Sequence, residues 1–221
     1  MRNAVLLPNG LVLTTDNSAG IGEKEHDVVQ VDDELVAYFA ARVTLMEQWA
    51  AQAIPVSIVM HNFSGNKSWV KYVTGIEKLF FELDQPCPII TGSTESNMET
   101  MQSAVAVTMI GEKKEVDVED FTWCVYGLPS VGEEVLTKTE KIADMKRIWD
   151  ALNGGLVQRV WPVGSSGIAE ECKRLGIHCK LGGDWGLEKS AGPATSVLLG
   201  VANNRIDEAK LHFGAYFNRI N

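Results

Sequence analysis

Apolar and polar positions alternate along residues 4–15, AVLLPNGLVLTT, and β-branched residues cluster again at 55–61, 87–92 and 103–111 between turn formers, so each run predicts a strand. The period becomes helical over 33–53, DELVAYFAARVTLMEQWAAQA, with Asp32 or Asp33 as the cap and Pro55 as the stop. A second helix is predicted over 66–83, where Trp69, Val73, Ile76, Phe80 and Leu83 recur at helical spacing. The segment GEKKEVDVED (111–120) is charged, lacks an apolar stripe and reads as a linker or an exposed hairpin. It divides the chain into domains of 1–115 and 116–221. Beyond it, FTWCVYGLP (121–129) predicts a buried strand and GLVQRVWPVG another, while 139–152, 166–176, 193–203 and 206–219 predict helices. Strands and helices mix in both halves, which makes the class mixed α and β.

The 221 residues, 45% of them hydrophobic and 22% charged, suffice for a buried core. A formal net charge of -9 argues against broad binding to nucleic-acid phosphate, which needs clustered Lys and Arg. Binding of an anionic ligand through a divalent cation stays open, because the metal reverses the local charge logic. Cys87, Cys124, Cys172 and Cys179 form no C-x-x-C pair, so no zinc ribbon or dithiol motif is expected. No signal-peptide pattern opens the sequence, and no apolar run approaches the roughly 20 residues that span a bilayer. A cytoplasmic protein with free thiols is the expectation, with no membrane partner.

Four stretches could carry chemistry. TTDNSAGIGEKEHDVV (14–29) places Asp16, Asn17 and Ser18 at a predicted strand end, followed by Gly20 and Gly22; by itself this is ordinary turn composition. Glu47 shares the core-facing stripe of Val36, Ala40 and Val43. A carboxylate driven inward needs a partner, either a metal or an ion pair with Arg42 or a neighbouring Lys. PIITGSTESNMETMQSAVAVTMIG (88–111) reads as a strand, a polar turn and a returning strand, with Ser93, Thr94 and Glu95 offering oxygen ligands of the kind hard cations select. WPVGSSGIAEECKRLG (161–176) is a strand, a Gly/Ser loop and a helix start. Its backbone N–H groups could cradle a phosphate, or Ser165 or Ser166 could simply cap the helix with Glu170 completing a capping box. Neither a Walker A nor a G-x-G-x-x-G pattern is present. Of the four histidines, His61 ends a predicted strand, where ligand-facing loops begin.

The order of these motifs resembles the ATP-binding AIR synthase superfamily, which includes thiamine-monophosphate kinase, selenophosphate synthetase and the hydrogenase-maturation dehydratase. The resemblance covers nearly the whole chain and is clearest over 12–111. TTDNSAGIGEK looks like the family's strand-end Thr-Asp segment, so the metal-binding acid falls on Asp16. The helix running into AIP looks like the family helix ending in a Gly-Ala-x-Pro-like turn, and counting back from Pro55 puts its metal-binding acid at Glu47. TGSTESNM looks like the Gly-Gly-Asp-Thr turn, with Gly92 and Thr94 retained and Ser93 where many members carry Asp. Pro8-Asn9-Gly10 stands where the kinases have an Asp-Asp segment. ALNGGLVQRV resembles an Asp-x-x-x-Gly-Gly-Leu segment without its acid, although Asp150 is adjacent.

The resemblance implies an α+β, two-domain AIR synthase-like fold. An N-terminal ATP- and metal-binding domain would form a dimeric barrel from its sheet and helices, followed by a shortened C-terminal α/β domain. It also implies a homodimer that uses ATP and Mg²⁺. Asp16, Glu47 and Glu95 would hold the metal. Asp16, Asn17, Ser18, Gly20, Gly22, Gly92, Ser93, Thr94, Gly164 and Ser165 would contact the nucleotide, and Asp27 or His61 would orient the acceptor. DNSAGIGEKEHDVV, TGSTESNM, PVGSSGI and KSAGPAT most resemble α-ribazole kinase-type proteins, which phosphorylate the nucleoside of the lower cobamide ligand. An ATP-dependent cyclase or ligase and a nucleotide-binding partner without turnover are the alternatives.

Overall fold

The computed structural model describes residues 2–115 and 120–220. The chain folds as two compact units, Met1–Glu115 and Val116–Asn221. Residues 116–119 of the charged segment expected to link them lie outside the described residues, whereas 111–113 continue a strand.

The first unit is a five-stranded sheet with two helices on one face. Its strands are β1 (Val5–Leu6), β2 (Leu11–Ala19), β5 (Ala53–Asn62), β6 (Ile89–Thr94) and β7 (Ala104–Lys113), in the order β1-β2-β7-β5-β6. A short parallel pair, β3 (Ile21–Gly22) and β4 (Val29–Gln30), follows β2. The single strand expected over 4–15 is instead a hairpin. Pro8, Asn9 and Gly10 turn the chain, with Leu7 N donating to Leu11 O at 2.7 Å and Gly10 N to Leu7 O at 2.9 Å. β2 then runs on through Ala19, so Asp16 lies within a strand, opposite Val107 of β7. β6 and β7 do not form the expected out-and-back pair. β6 lies parallel to β5, and β7 runs antiparallel on the other side of β5, between it and β2.

Helix α1 (Asp33–Ala50) lies against β2 and β7, and α2 (Asn66–Glu82) packs beside it. α1 ends well before Pro55, which belongs to β5; Gln52 takes a left-handed φ of 58° and turns the chain into that strand. On α2 the buried stripe is Tyr72, Ile76, Leu79, Phe80 and Leu83, with Trp69 and Val73 only half-buried at its margin. The helices cross closely at Gly75, where a Cβ would stand 2.0 Å from the carbonyl oxygen of Glu34. Gln48 fixes α1 to the sheet, its amide nitrogen donating to the carbonyls of Val12 and Met109 at 3.1 and 3.0 Å and to Thr14 Oγ1 at 3.0 Å. Because strand side chains alternate, Val12, Thr14, Val105, Val107, Met109, Ile58 and Met60 form the core beneath the helices. The opposite face carries Leu13, Thr15, Asn17, Ile110, His61, Ile89 and Ser93, and among the described residues of the first unit no helix packs on it.

The second unit is an antiparallel sheet of β8 (Phe121–Tyr126), β9 (Val157–Pro162), β10 (Val197–Ala202) and β11 (Phe217–Arg219), ordered β11-β8-β10-β9. Its helices are α3 (Glu134–Thr137), α4 (Met145–Asn153), α5 (Gly167–Arg174) and α6 (Ile206–Phe213). The helix expected over 193–203 is the strand β10. All six of its residues are buried, and a short apolar run covered on both faces has no period that separates strand from helix. The helix expected over 206–219 stops at Gly214, after which Phe217–Arg219 pair with β8. The helix expected over 139–152 is a 3-10 turn at Thr139–Lys141 followed by α4, whose start Asp144 caps by accepting from Arg147 N at 3.0 Å. One side of the sheet is closed by Val125, Leu198, Val163, Ile168, Cys172 and Trp185.

Candidate functional site

α1 carries Glu47 to the helix-facing side of the sheet, where β2 presents Asp16 on the same face as Val12 and Thr14. The two carboxylates come close enough to interact. Burial pushes the Asp16 carboxyl up to about 7, opposed by the Asn17 backbone N–H, reinforced by the Glu47 charge and opposed again by Arg2. Glu47 is only 1% exposed. Arg2 pairs with it, Nη1 against Oε1. Asn3 joins it, donating from its backbone N to Oε2 at 3.3 Å and from Nδ2 to Oε1 at 3.2 Å. Neither Arg2 nor Asn3 was legible as a site residue. The contact spans 45 positions, and no local spacing signals it.

Glu95 does not join this pair. β6 is three strand spacings from β2, about 14 Å across one sheet. Its carboxylate instead accepts from the backbone N–H groups of Asn97 at 2.7 Å and Met98 at 3.1 Å, which holds it below the usual carboxylate range. Among the described residues no group of three His, Cys, Asp or Glu side chains could hold a metal ion. A divalent ion resident on Asp16, Glu47 and Glu95 of one subunit therefore does not fit these side chains.

The pleat also divides the residues expected to contact nucleotide. Asp16 and Ser18, with Gly92 and Thr94, lie on the helix-facing side, whereas Asn17 and Ser93 lie on the open side. His61 stands between the last two in register, opposite Ser93 on one flank and Ala106 on the other, and Ala106 pairs with Asn17. Asn17, Ala106, His61 and Ser93 thus form one rung across four strands, with His61 exposed. Gly92 is backed against β5, where a Cβ would lie 1.8 Å from Met60 O.

The 20–31 loop folds onto the protein itself. Asp27 is buried, accepting from Lys24 N at 2.9 Å and Ser103 N at 2.7 Å. At Gly22 a Cβ would lie 2.5 Å from Ser103 Oγ and 2.8 Å from Asp33 Oδ1. The missing side chain is thus accounted for by protein atoms, and Gly20 donates to Ser103 O at 2.8 Å.

In the second unit, Gly164 and Ser165 lie in the loop between β9 and α5, with Ser165 exposed. The capping box is not made. Ser166 occupies the cap position without a side-chain bond, and Glu170 pairs with Lys173 and Arg174 at 3.6 and 3.8 Å. Ala169 N donates to Leu187 O at 2.9 Å, so a protein carbonyl satisfies one of the first N–H groups of the helix.

These elements make up the AIR synthase-like fold. Among solved structures, thiamine monophosphate kinase from Aquifex aeolicus matches with a TM-score of 0.63 at 11% identity, covering 99% of this chain and 86% of that one. AaThiL complexed with AMPPCP and TMP matches at 0.58 and 12%, covering 98% and 82%. The hydrogenase maturation protein HypE in complex with ATP matches at 0.57 and 12%, covering 94% and 75%. At these identities the likeness is one of fold. No family model matches the sequence, and no curated protein does. Among the described residues no helix is long and apolar enough to cross a membrane.

Proposed function

We propose that this protein is an ATP-dependent phosphotransferase acting on a small molecule, and specifically that it phosphorylates α-ribazole in salvage of the lower cobamide ligand. The observation that carries the first part is the match of nearly the whole chain to a fold solved with AMPPCP and TMP in one relative and with ATP in another. The nucleoside rests on the likeness of DNSAGIGEKEHDVV, TGSTESNM, PVGSSGI and KSAGPAT to α-ribazole kinase-type proteins.

In this reading magnesium enters with the nucleotide, as the substrate MgATP. Phosphoryl transfer asks the protein mainly for positioning and charge stabilisation. The polar rung of Asn17, His61 and Ser93 offers donors and acceptors on the open face, and His61, exposed at its centre, orients the acceptor hydroxyl. Asp27, the other candidate for that role, is assigned to holding its loop, since both its oxygens accept backbone N–H groups. Gly164 and Ser165 are assigned to a phosphate as part of the loop entering α5. The open face, with Leu13, Ile110 and the exposed Ile89, is assigned to a homodimer.

Two points favour a second reading, a nucleotide-binding partner without turnover: Ser93 stands where the resemblance leads one to expect an acid, and Arg2 pairs with Glu47. An ATP-dependent cyclase or ligase remains the alternative enzyme. Incubation with MgATP and α-ribazole should yield α-ribazole phosphate and ADP in equal amounts. Thiamine monophosphate and aminoimidazole precursors belong in the same panel. Phosphorylation of one of those acceptors instead would keep the kinase and discard the cobamide role. ADP release with phosphate appearing free rather than on the product would indicate the cyclase. ATP binding without ADP from any acceptor would establish the non-catalytic partner.

A further inference from the structure

We propose that Cys172 and Cys179 are a redox-active thiol pair, a covalent modification site that a peroxide closes into an intramolecular disulfide. All four cysteines are free in this structure, and the end of α5 brings these two together. The helix stops after Arg174. Gly176 then takes a left-handed φ of 69°, and Ile177 N donates to Cys172 O at 3.0 Å. That turn carries the chain back along the helix it has just left. Cys172 is fully buried in the apolar cluster of Val125, Ile168 and Leu198, and Cys179 packs against the same cluster while keeping part of its surface in water. There the two thiols hydrogen-bond to each other.

The two sulfurs differ in the way such a pair requires: one meets the oxidant and the other waits beside it to resolve the product. Cys179, half-buried between the exposed His178 and Lys180, is the first. Cys172 is the second. Burial and the hydrogen bond to Cys179 push its thiol up to about 12, so it holds its proton until its neighbour has reacted. With hydrogen peroxide, Cys179 Sγ attacks one oxygen: an S–O bond forms, the O–O bond breaks, and the thiol proton leaves with the departing hydroxide as water. Cys172 Sγ then attacks the sulfur of that sulfenic acid. The S–S bond forms as the S–O bond breaks, and the Cys172 proton leaves on hydroxide as a second water. The two sulfurs lose two electrons and the peroxide gains them.

The bond fixes the strap that follows. Residues 177–190 contain no helix or strand, yet they run along α5. Cys179 meets the helix near its end, and Leu187 O accepts from Ala169 N near its start at 2.9 Å. Gly167 is closed in by the same strap, since a Cβ there would lie 2.6 Å from Leu187 O. Just beyond it, Ala191 N donates to Gly164 O at 3.1 Å. A covalent link at Cys172 removes chain freedom from the unfolded state and holds the start of the strap on the helix.

The test uses the full chain without nucleotide, so its outcome is separate from the kinase reading, which turnover decides. Protein reduced and then freed of reductant is treated with a small excess of hydrogen peroxide, unfolded in an alkylating agent and digested with trypsin. Residues 160–173 and 175–180 should emerge as one linked peptide, two hydrogens lighter than the separate pair, which dithiothreitol divides. Two of the four thiols should be lost, with Cys87 and Cys124 still alkylated. The urea midpoint should rise on oxidation, return with dithiothreitol, and not respond in Cys179→Ser. Overoxidised Cys179 beside an alkylated Cys172, a link between any other two cysteines, or a link made only in urea would overturn the proposal. A midpoint unchanged or lowered in the linked wild type would refute the fixing of the strap. Should Cys179→Ser not fold, the wild-type peptide map and midpoints decide.

Discussion

Asp16→Asn should change how stability depends on pH, and the expected size follows from where Asp16 sits. Its side chain projects from β2 into the layer between sheet and α1, where burial, with the Glu47 charge, raises its pKa from 3.8 to about 7 against the Asn17 N–H and Arg2. The folded protein thus holds the proton more tightly than the unfolded chain does. Asp16 therefore contributes stability that is fully present below its unfolded pKa and is lost as pH rises through the folded one. The window runs from about pH 4 to about pH 7. A rise from 3.8 to about 7 corresponds to at most about 4 kcal/mol, and partial access of water to a half-buried group brings this nearer to roughly 2 kcal/mol. Asparagine cannot ionise, so the variant should match wild type near pH 4 and exceed it by that amount near pH 8. Urea unfolding at several pH values, plotted as the difference between the two proteins, isolates Asp16 from the other carboxylates. Wild-type and variant curves that stay parallel from about pH 5 to about pH 8 would refute the reasoning.

Gly75→Ala forces a methyl group to within 2.0 Å of Glu34 O, so α1 and α2 must separate; urea unfolding should show a loss of roughly 1–3 kcal/mol. Asp27→Asn puts an NH₂ donor in place of one of the two carboxylate oxygens that accept backbone N–H groups; it should cost roughly 1–3 kcal/mol by urea unfolding. In a turnover assay it should leave more activity than His61→Ala. Ile89→Lys puts a charge at a position 73% exposed on the face assigned to the proposed homodimer; sedimentation should find wild type as a dimer and the variant as a monomer with its fold retained, and a monomeric wild type would refute that assignment.

The elements with a strong local period were legible from the residues alone. α1, α2, β5 and β7 have amphipathic or alternating patterns longer than a few residues, so each reveals its buried side without reference to a partner. The stripe of α1 likewise showed that Glu47 would be buried and would need a positive charge. Asp16 was expected at a strand end and lies inside β2, and its place beside Glu47 depends on how β2 packs under the helix. What the tertiary structure decided was everything that depends on residues distant in sequence. A fully apolar strand such as β10 takes its identity from neighbours on both faces, and its own residues carry no period to distinguish it from a helix. The order β2-β7-β5-β6 separates Glu95 from Asp16, although their motifs look like parts of one acidic cluster when written in line. Strand alternation places Asn17, His61 and Ser93 on one face and Asp16 on the other, a division visible only once the register is known. Arg2 meets Glu47 because the segment before β1 leads into the β1–β2 pairing near α1. A charge pair of that kind is selected by burial in three dimensions, and no spacing along the chain encodes it.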